Sequence, residues 1–250
     1  LKWRVLDPKT GLVLSESIID SQAYSNTIYQ YVTDPYGDAP YWNDAEHTHY
    51  ANDYATSSIR KWLNEDFYNT AFTSAQQANI LTTELDNKAY STYYSKFDSE
   101  TTYDKVFLLS YSEAQNASYG FTSSASRKAK GTDYAKCQGL GVNSSNECSF
   151  WRLRSAGYYY DYDCHVNHDG VVDHHHVDDT NKGVRPALKI SNLDSAISES
   201  GDSDPSSSAH FNQPTYIADI WSGNREKKTP EHEQLSWYYN GYKPITRTIV

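Results

Sequence analysis

The sequence predicts an α+β domain built from short elements joined by long irregular loops. Three observations predict it. One amphipathic stripe, Ile59, Trp62, Leu63 and Phe67, marks a clear helix. Short extended runs lie on either side of it, at 1–6, 80–85, 105–109 and 183–190. Asp169-Gly170 sits between two strand-like runs, HVNH and VVDHHH, and reads as a hairpin turn.

Residues 1–6 and 11–15 read as two strands around the turn Asp7-Pro8-Lys9-Thr10-Gly11. Residues 17–52 show no clean period and read as loop. The His47-Thr48-His49 pair in that loop is half a metal site at most. The helix spans 57–70, capped by Ser57 or Ser58. A second short helix starts at Ser74, with Gln77 completing a capping box. Residues 86–102 form a polar Tyr/Ser/Lys connection, and KVFLL at 105–109 reads as a buried strand. Ser110 with Glu113 forms another capping box, and Thr132 caps a short helix through Lys136. Residues 149–153 are strand-like, and 183–190 read as the last core strand.

Composition narrows the function classes. The chain has 250 residues and a formal net charge of −10, which argues against a basic nucleic-acid footprint. Mean hydropathy is −0.78, and no run approaches the ~20 apolar residues of a membrane span. No signal peptide is visible. The start at Leu1-Lys2-Trp3 without Met reads as a processed or trimmed product. The 23 Tyr and 6 Trp supply apolar area where Leu and Ile are scarce. Cys137 and Cys148 flank a polar loop that would let them pair, as suits an exported protein, or they stay free. Residues 1–190 read as one ligand-binding domain, 191–210 as a Ser/Asp-rich linker and 211–250 as an aromatic extension. That extension is expected to dock on the domain or on a neighbouring subunit.

The segment 151–188 organises the rest. Its ends look like scaffold, with Trp151, Arg154 and Arg185 bracing from below. Its middle is a dense run of Tyr, Asp, His and Asn, which builds a contact surface more readily than a core. The expected ligand contacts are Tyr158, Tyr159, Tyr160, Asp161, Asp163, His165, Asn167, His168, Asp173, His174, His175, His176 and Asp178. Strand alternation assigns Tyr162, Val166 and Val172 to support. Between Gly157 and Asn181 there is no Lys, Glu, Gln, Trp or Met. Roughly four would be expected from the composition of the rest of the chain.

Several blocks carry a resemblance: LKWRVL, SSIRKWLNEDFYNTAFTSAQQANILTTEL, DKVFLLSYSEA, GTDYAKCQGL, and FWRLRSAGYYYDY through NKGVRPALKI. Together they resemble the C-type-lectin-like domains of gut-bacterial and phage proteins, distantly similar to the formylglycine-generating, sulfatase-modifying fold. Some members of that class are variable proteins of diversity-generating retroelements. The resemblance covers about residues 1–190. It implies two main helices packed on small antiparallel sheets, with the first strand (1–6) paired to the last (186–190). It also implies a ligand surface at 158–179. Where such domains carry WWLRSPG, this chain has WRLRSAG, so Arg152 and Ala156 depart from the pattern. Retroelement mutagenesis of adenines in AAC or AAT codons cannot produce Lys, Glu, Gln, Trp or Met, which matches the gap. An ordinary Tyr/Asp-rich loop is the alternative.

The same segment carries residues suited to other chemistries. His174 and His176 share a strand face, and with His165 they form a weak zinc candidate. Asp161, Asp163, Asp178 and Asp179 lack the spacing of a calcium loop, so no cofactor is expected. The sulfatase-modifying relatives use a cysteine pair that has no match here, and no nucleophile motif stands out, so an enzyme is not expected. The Tyr rings suit a glycan or a protein equally. The reading is a binding protein that recognises a protein or carbohydrate on another cell or surface. It would be secreted, cell-surface or virion-displayed, with no nucleic acid and no membrane span. The alternative is a structural subunit of a surface fibre or assembly, using the same patch and the 211–250 tail for subunit contacts.

Overall fold

A computed structural model describes residues 1–30 and 40–191, with the backbone of Tyr216–Ile217. The chain opens as a hairpin. β1 (Trp3–Asp7) turns back into β2 (Leu12–Ser15). The Asp7 carboxylate holds that turn, accepting from Lys9 N at 3.0 Å and Thr10 Oγ1 at 2.8 Å. Three two-residue strands follow: β3 (Asp20–Ser21), β4 (Tyr29–Gln30) and β5 (Tyr41–Trp42).

The predicted helix forms as α1 (Ser58–Trp62), a π-helical stretch Leu63–Phe67 and α2 (Tyr68–Ala71). Ser57 Oγ accepts from Arg60 N and starts it. Ile59, Trp62, Leu63 and Phe67 are all buried, as their spacing requires. The next helix, α3 (Ser74–Gln77), starts at Ser74 as expected, but its capping box lies one residue earlier. Thr73 is its cap, and Gln76 completes the box, its Oε1 accepting from Thr73 N at 2.7 Å.

After β6 (Ile80–Leu81) and β7 (Thr83–Leu85) come a 3₁₀ segment, Thr92–Phe97, and β8 (Thr102–Asp104). The KVFLL run is buried but is not a strand. It makes one isolated bridge, Phe107 to Ala187. The reason is local: the Asn64 side chain accepts from Lys105 N and Val106 N and donates to Val106 O. A helix side chain thus satisfies the backbone groups that a neighbouring strand would take. Ser110 and Glu113 do exchange the reciprocal bonds of a capping box. α4 (Ser124–Arg127) and α5 (Asp133–Cys137) are single turns, the second capped by Thr132 as expected. The implied pair of main helices is therefore one helix and a set of short turns.

β9 (Trp151–Ala156), β10 (Tyr162–Val166), β11 (Val172–His176), β12 (Gly183–Val184), β13 (Ala187–Ile190) and β14 (Tyr216–Ile217) complete the chain. One sheet runs β14-β1-β2-β13-β6 and the other β11-β10-β9-β12-β3. The first and last strands share a sheet, but they do not pair. β2 lies between them, since its four buried residues offer both edges to ladders. The expected single strand at 183–190 is two, parted at Arg185-Pro186. Pro186 has no N–H to donate, and the chain uses the break to cross from the second sheet to the first. Arg185 holds the crossing by donating through Nε to Ser15 O at 2.8 Å.

Gly11 closes the first sheet. Its φ is +71°, and a Cβ there would lie 2.0 Å from Ile190 O. All three cysteines are free, so the Cys137–Cys148 bridge does not form. Cys148 is buried, and its Sγ lies against Asn146 O, while Cys137 is exposed. The linker and the aromatic extension lie outside the described residues, except Ser191 and the β14 backbone on the edge of β1. No helix among the described residues is long and apolar enough to cross a membrane.

Candidate ligand-binding surface

The segment flagged in the sequence folds into a two-stranded ribbon at the edge of the second sheet. β10 and β11 pair residue for residue from Tyr162–His176 to Val166–Val172. Asp169-Gly170 makes the turn, with Gly170 at φ +86°. The tip is clamped from outside. Arg127 Nε donates to Gly170 O at 2.7 Å, and a Cβ on Gly170 would meet Ser124 O at 1.8 Å.

Opposed residues of an antiparallel pair share a face. Asp163, His165, Asp173 and His175 therefore lie on one side, and Tyr162, Cys164, Val166, Val172, His174 and His176 on the other. His174 and His176 do share a face against His175, as alternation predicts.

The first of these sides is covered along β10. Asp163 is fully buried, and its Oδ1 accepts from Arg152 Nη1 at 2.5 Å. Arg152 Nη2 also donates to Asp179 O at 2.6 Å and Arg152 Nε to Gln22 O at 3.1 Å. One guanidinium thus ties the ribbon to two loops. Burial pushes the Asp163 carboxyl up to about 6, against the pull of Arg152. His165 is also buried, with Nε2 on Asn167 Oδ1 at 2.6 Å, and burial pushes its imidazole down to about 3. Asp161 is buried too and pairs with His176 Nδ1 at 2.9 Å. Asp161, Asp163 and His165 are therefore corrections to the expected contact set. Alternation assigned them to solvent, but Arg152 covers Asp163, His176 pairs with Asp161, and the Phe150 and His175 rings flank His165.

The opposite side and the 158–160 turn carry rings in mutual contact. Tyr158 is 43% exposed and packs edge-on against Tyr162 and His174, both at 5.2 Å between centroids. His176 meets Tyr162 at 4.5 Å. Tyr162, expected as support, is half-exposed and belongs to this surface. The run extends beyond the ribbon both ways. Tyr90 reaches His174 at 4.3 Å and Tyr94 at 5.2 Å, and Tyr93 beyond is 84% exposed. In the other direction Tyr159 meets Tyr160, Tyr160 meets Tyr50, and Tyr50 stacks on Trp42 at 4.7 Å. Lys96 Nζ lies 4.6 Å from the Tyr160 ring centre. Sequence reasoning missed Tyr50, Tyr90, Tyr93, Tyr94 and Trp42, because they lie in stretches read as polar connection. The Tyr-Ser-Thr-Tyr-Tyr run at 90–94 was the available signal.

A family model described as a domain of unknown function, DUF6273, matches residues 10–192. The chain belongs to the DUF6273 family. No curated protein and no solved structure matches it. The DUF6273 match ends two residues beyond β13, so it spans the ribbon, the whole second sheet, and β2, β6 and β13 of the first sheet, but not β1 or β14.

In this DUF6273 domain the remaining predicted contacts divide. Asp173 and Asp178 are exposed, and Asn167 is half-exposed at the tip. His168, also half-exposed, lies against Phe150 at 5.3 Å. His175 pairs with Asp179. Among the described residues no three His, Cys, Asp or Glu side chains converge as a metal site would. The weak candidates explain this individually: His174 is engaged with two Tyr rings, His176 with Asp161, and His165 is enclosed. Cys164 lies 3.4 Å from His174 Nδ1, yet burial pushes its thiol well above the ordinary range, so it stays protonated. The residues expected as scaffold, Trp151, Arg154 and Arg185, are all buried. Trp151 Nε1 donates to Arg127 O at 3.0 Å, Arg185 stacks on the Trp151 ring at 4.9 Å, and Arg154 holds Leu108 O at 2.9 Å. Arg152, flagged in the sequence only as a departure, is the principal tie.

Proposed function

We propose that this chain is a binding module that recognises a protein or glycan through the aromatic face of the β10–β11 ribbon. The observation that carries this reading is the unbroken run of ring contacts from Trp42 to Tyr93, held on a clamped and buried base. Such a face offers apolar area with hydroxyl and imidazole tips and little rotamer freedom to lose. Display outside a cell or on a virion fits the reading.

The proposal narrows the variable positions. Randomising Asp163 would strand the Arg152 guanidinium in the interior, and randomising Cys164 or Val166 would disturb packed core. Variation, where it occurs, is confined to Tyr158, Tyr159, Tyr160, Tyr162 and the β11 side chains. A near-copy of the 157–181 coding stretch beside a reverse-transcriptase gene, differing at adenines in those codons, would support this. Differences concentrated at 163–166 would refute it.

A Tyr158→Ser/Tyr160→Ser variant tests the binding reading. Retention of intact cells on the immobilised protein should fall about tenfold or more, while the unfolding midpoint moves by no more than ~1 kcal/mol equivalent. Equal retention by both proteins would sink it. Polymerisation by sedimentation velocity, abolished by the same variant, would favour the assembly-subunit alternative.

A further inference from the structure

A concavity lies between β7 with the loop after it (83–90), the 110–113 turn and the end of β9. It has a volume of about 380 Å³, within the ~300–1,000 Å³ range of small-molecule sites. None of the ribbon residues 158–176 lines it. Tyr90 is the shared wall, with one ring standing between the two surfaces.

Its lining is balanced. Glu84, Asp86 and Glu113 face Lys88, Arg154 and Lys189. A balanced lining offers no net attraction to an anion or a cation. It offers many donors and acceptors to a ligand with many hydroxyls. Tyr90 and Tyr111, edge to face at 5.5 Å, supply the apolar part of the wall.

The floor is an ion pair with spare valence. Arg154 has a 5% exposed side chain and donates from Nη1 to Leu108 O and to Glu113 Oε2. Its Nε makes no hydrogen bond among the described residues. Glu113 spends the same oxygen, Oε2, on Ser110 N. Burial raises the Glu113 pKa, but Arg154 and Ser110 more than offset that, so the carboxylate stays charged. The other carboxylate oxygen is left to accept. The pair offers an acceptor on Glu113, whose side chain is 25% exposed, and a donor on Arg154 Nε that is unmet but sealed from solvent, so a hydroxyl reaches it only as the side chain shifts. An acceptor beside a donor is the demand of a vicinal diol.

We propose that this cleft binds a neutral mono- or disaccharide, with Tyr90 and Tyr111 against the ring faces and the Arg154–Glu113 pair on adjacent hydroxyls. This is independent of the ribbon reading, and each can fail without the other.

The test is amide chemical-shift mapping of the full chain titrated with glucose, galactose, mannose, N-acetylglucosamine and their β1,4-linked disaccharides. Glucuronic acid and glucosamine serve as charged counterparts. The expected result is saturable binding of at least one neutral sugar at millimolar concentration, with shifts at 83–90, 110–113 and 154–155. Glu84→Ala and Ser112→Trp, at exposed positions, should each weaken it about tenfold, equivalent to ~1.4 kcal/mol. Asp133→Ala, outside the cleft, should not. The absence of cleft shifts with every neutral sugar would overturn the proposal. So would shifts confined to the ribbon, a charged counterpart binding more than tenfold tighter, or unchanged affinity in both cleft variants.

Discussion

Arg152 and Asp163 are both wholly buried, and the second carboxylate oxygen, Oδ2, has no partner among the described residues. A buried pair of this kind gains little over an apolar pair, but breaking it leaves an uncompensated charge. Asp163→Ala should therefore cost about 3–5 kcal/mol in denaturant unfolding. Asp178→Ala, exposed on the same segment, should stay within ~0.5 kcal/mol. Equal effects would mean that the ion pair does not hold the ribbon. His165 sets a pH dependence. Its imidazole titrates near 3 when folded and near ~6.5 when unfolded, so folding expels a proton between those values. Its contribution is complete above ~6.5 and is lost as pH falls toward 3, at up to ~1.4 kcal/mol per pH unit. Asp163 acts oppositely, because its raised value favours the folded state at low pH and is lost as pH rises from ~3.9 to about 6. The two offset each other between those limits. His165→Gln should remove the rising component, so that the variant loses stability relative to the parent as pH rises from 4 to 6. Denaturant midpoints across that range check it, and parallel curves would contradict it.

At the scale of elements, the hairpin was legible because Asp-Gly has few other uses between two β-rich runs. Gly170 has two requirements, a positive φ and contact with the Ser124 carbonyl, and only the first is visible in sequence. Gly170→Ala should cost about 2 kcal/mol or more from the φ penalty and the clash, lowering the melting temperature by roughly 4–8 °C. Amide exchange should quicken at 165–173 before it changes in β9. The KVFLL run shows the opposite case. Its apolar sequence requires burial, and burial is what it gets. Whether a buried run is a strand depends on which groups take its N–H and C=O, and Asn64, forty residues upstream, takes three of them.

At the scale of the molecule, the chain joins its two sheets at Arg185-Pro186 and closes the first at Gly11. Gly11→Ala would push a methyl into Ile190 O while holding a left-handed φ. It should destabilise the whole fold by at least ~2 kcal/mol, with all probes shifting together in thermal unfolding. A change confined to the β1–β2 hairpin would show that the closure is dispensable. The aromatic surface follows the same rule as the fold. Its presence at 158–176 was readable from Tyr, His and Asp crowding into one stretch. Its extent was not, because Trp42, Tyr50, Tyr90 and Tyr94 come from loops with no period to betray them, brought there by packing at long sequence range.

The sequence alone determined the α+β class, the main helix, the ribbon and its turn, since each rests on spacing or on backbone demands within a few residues. Only the tertiary structure decided which ribbon side chains meet solvent. Alternation divides a strand into two faces but cannot say what covers each one. Here an arginine on the neighbouring strand covers Asp163, a histidine across the ribbon pairs with Asp161, and two rings flank His165, while the tyrosines stay outside.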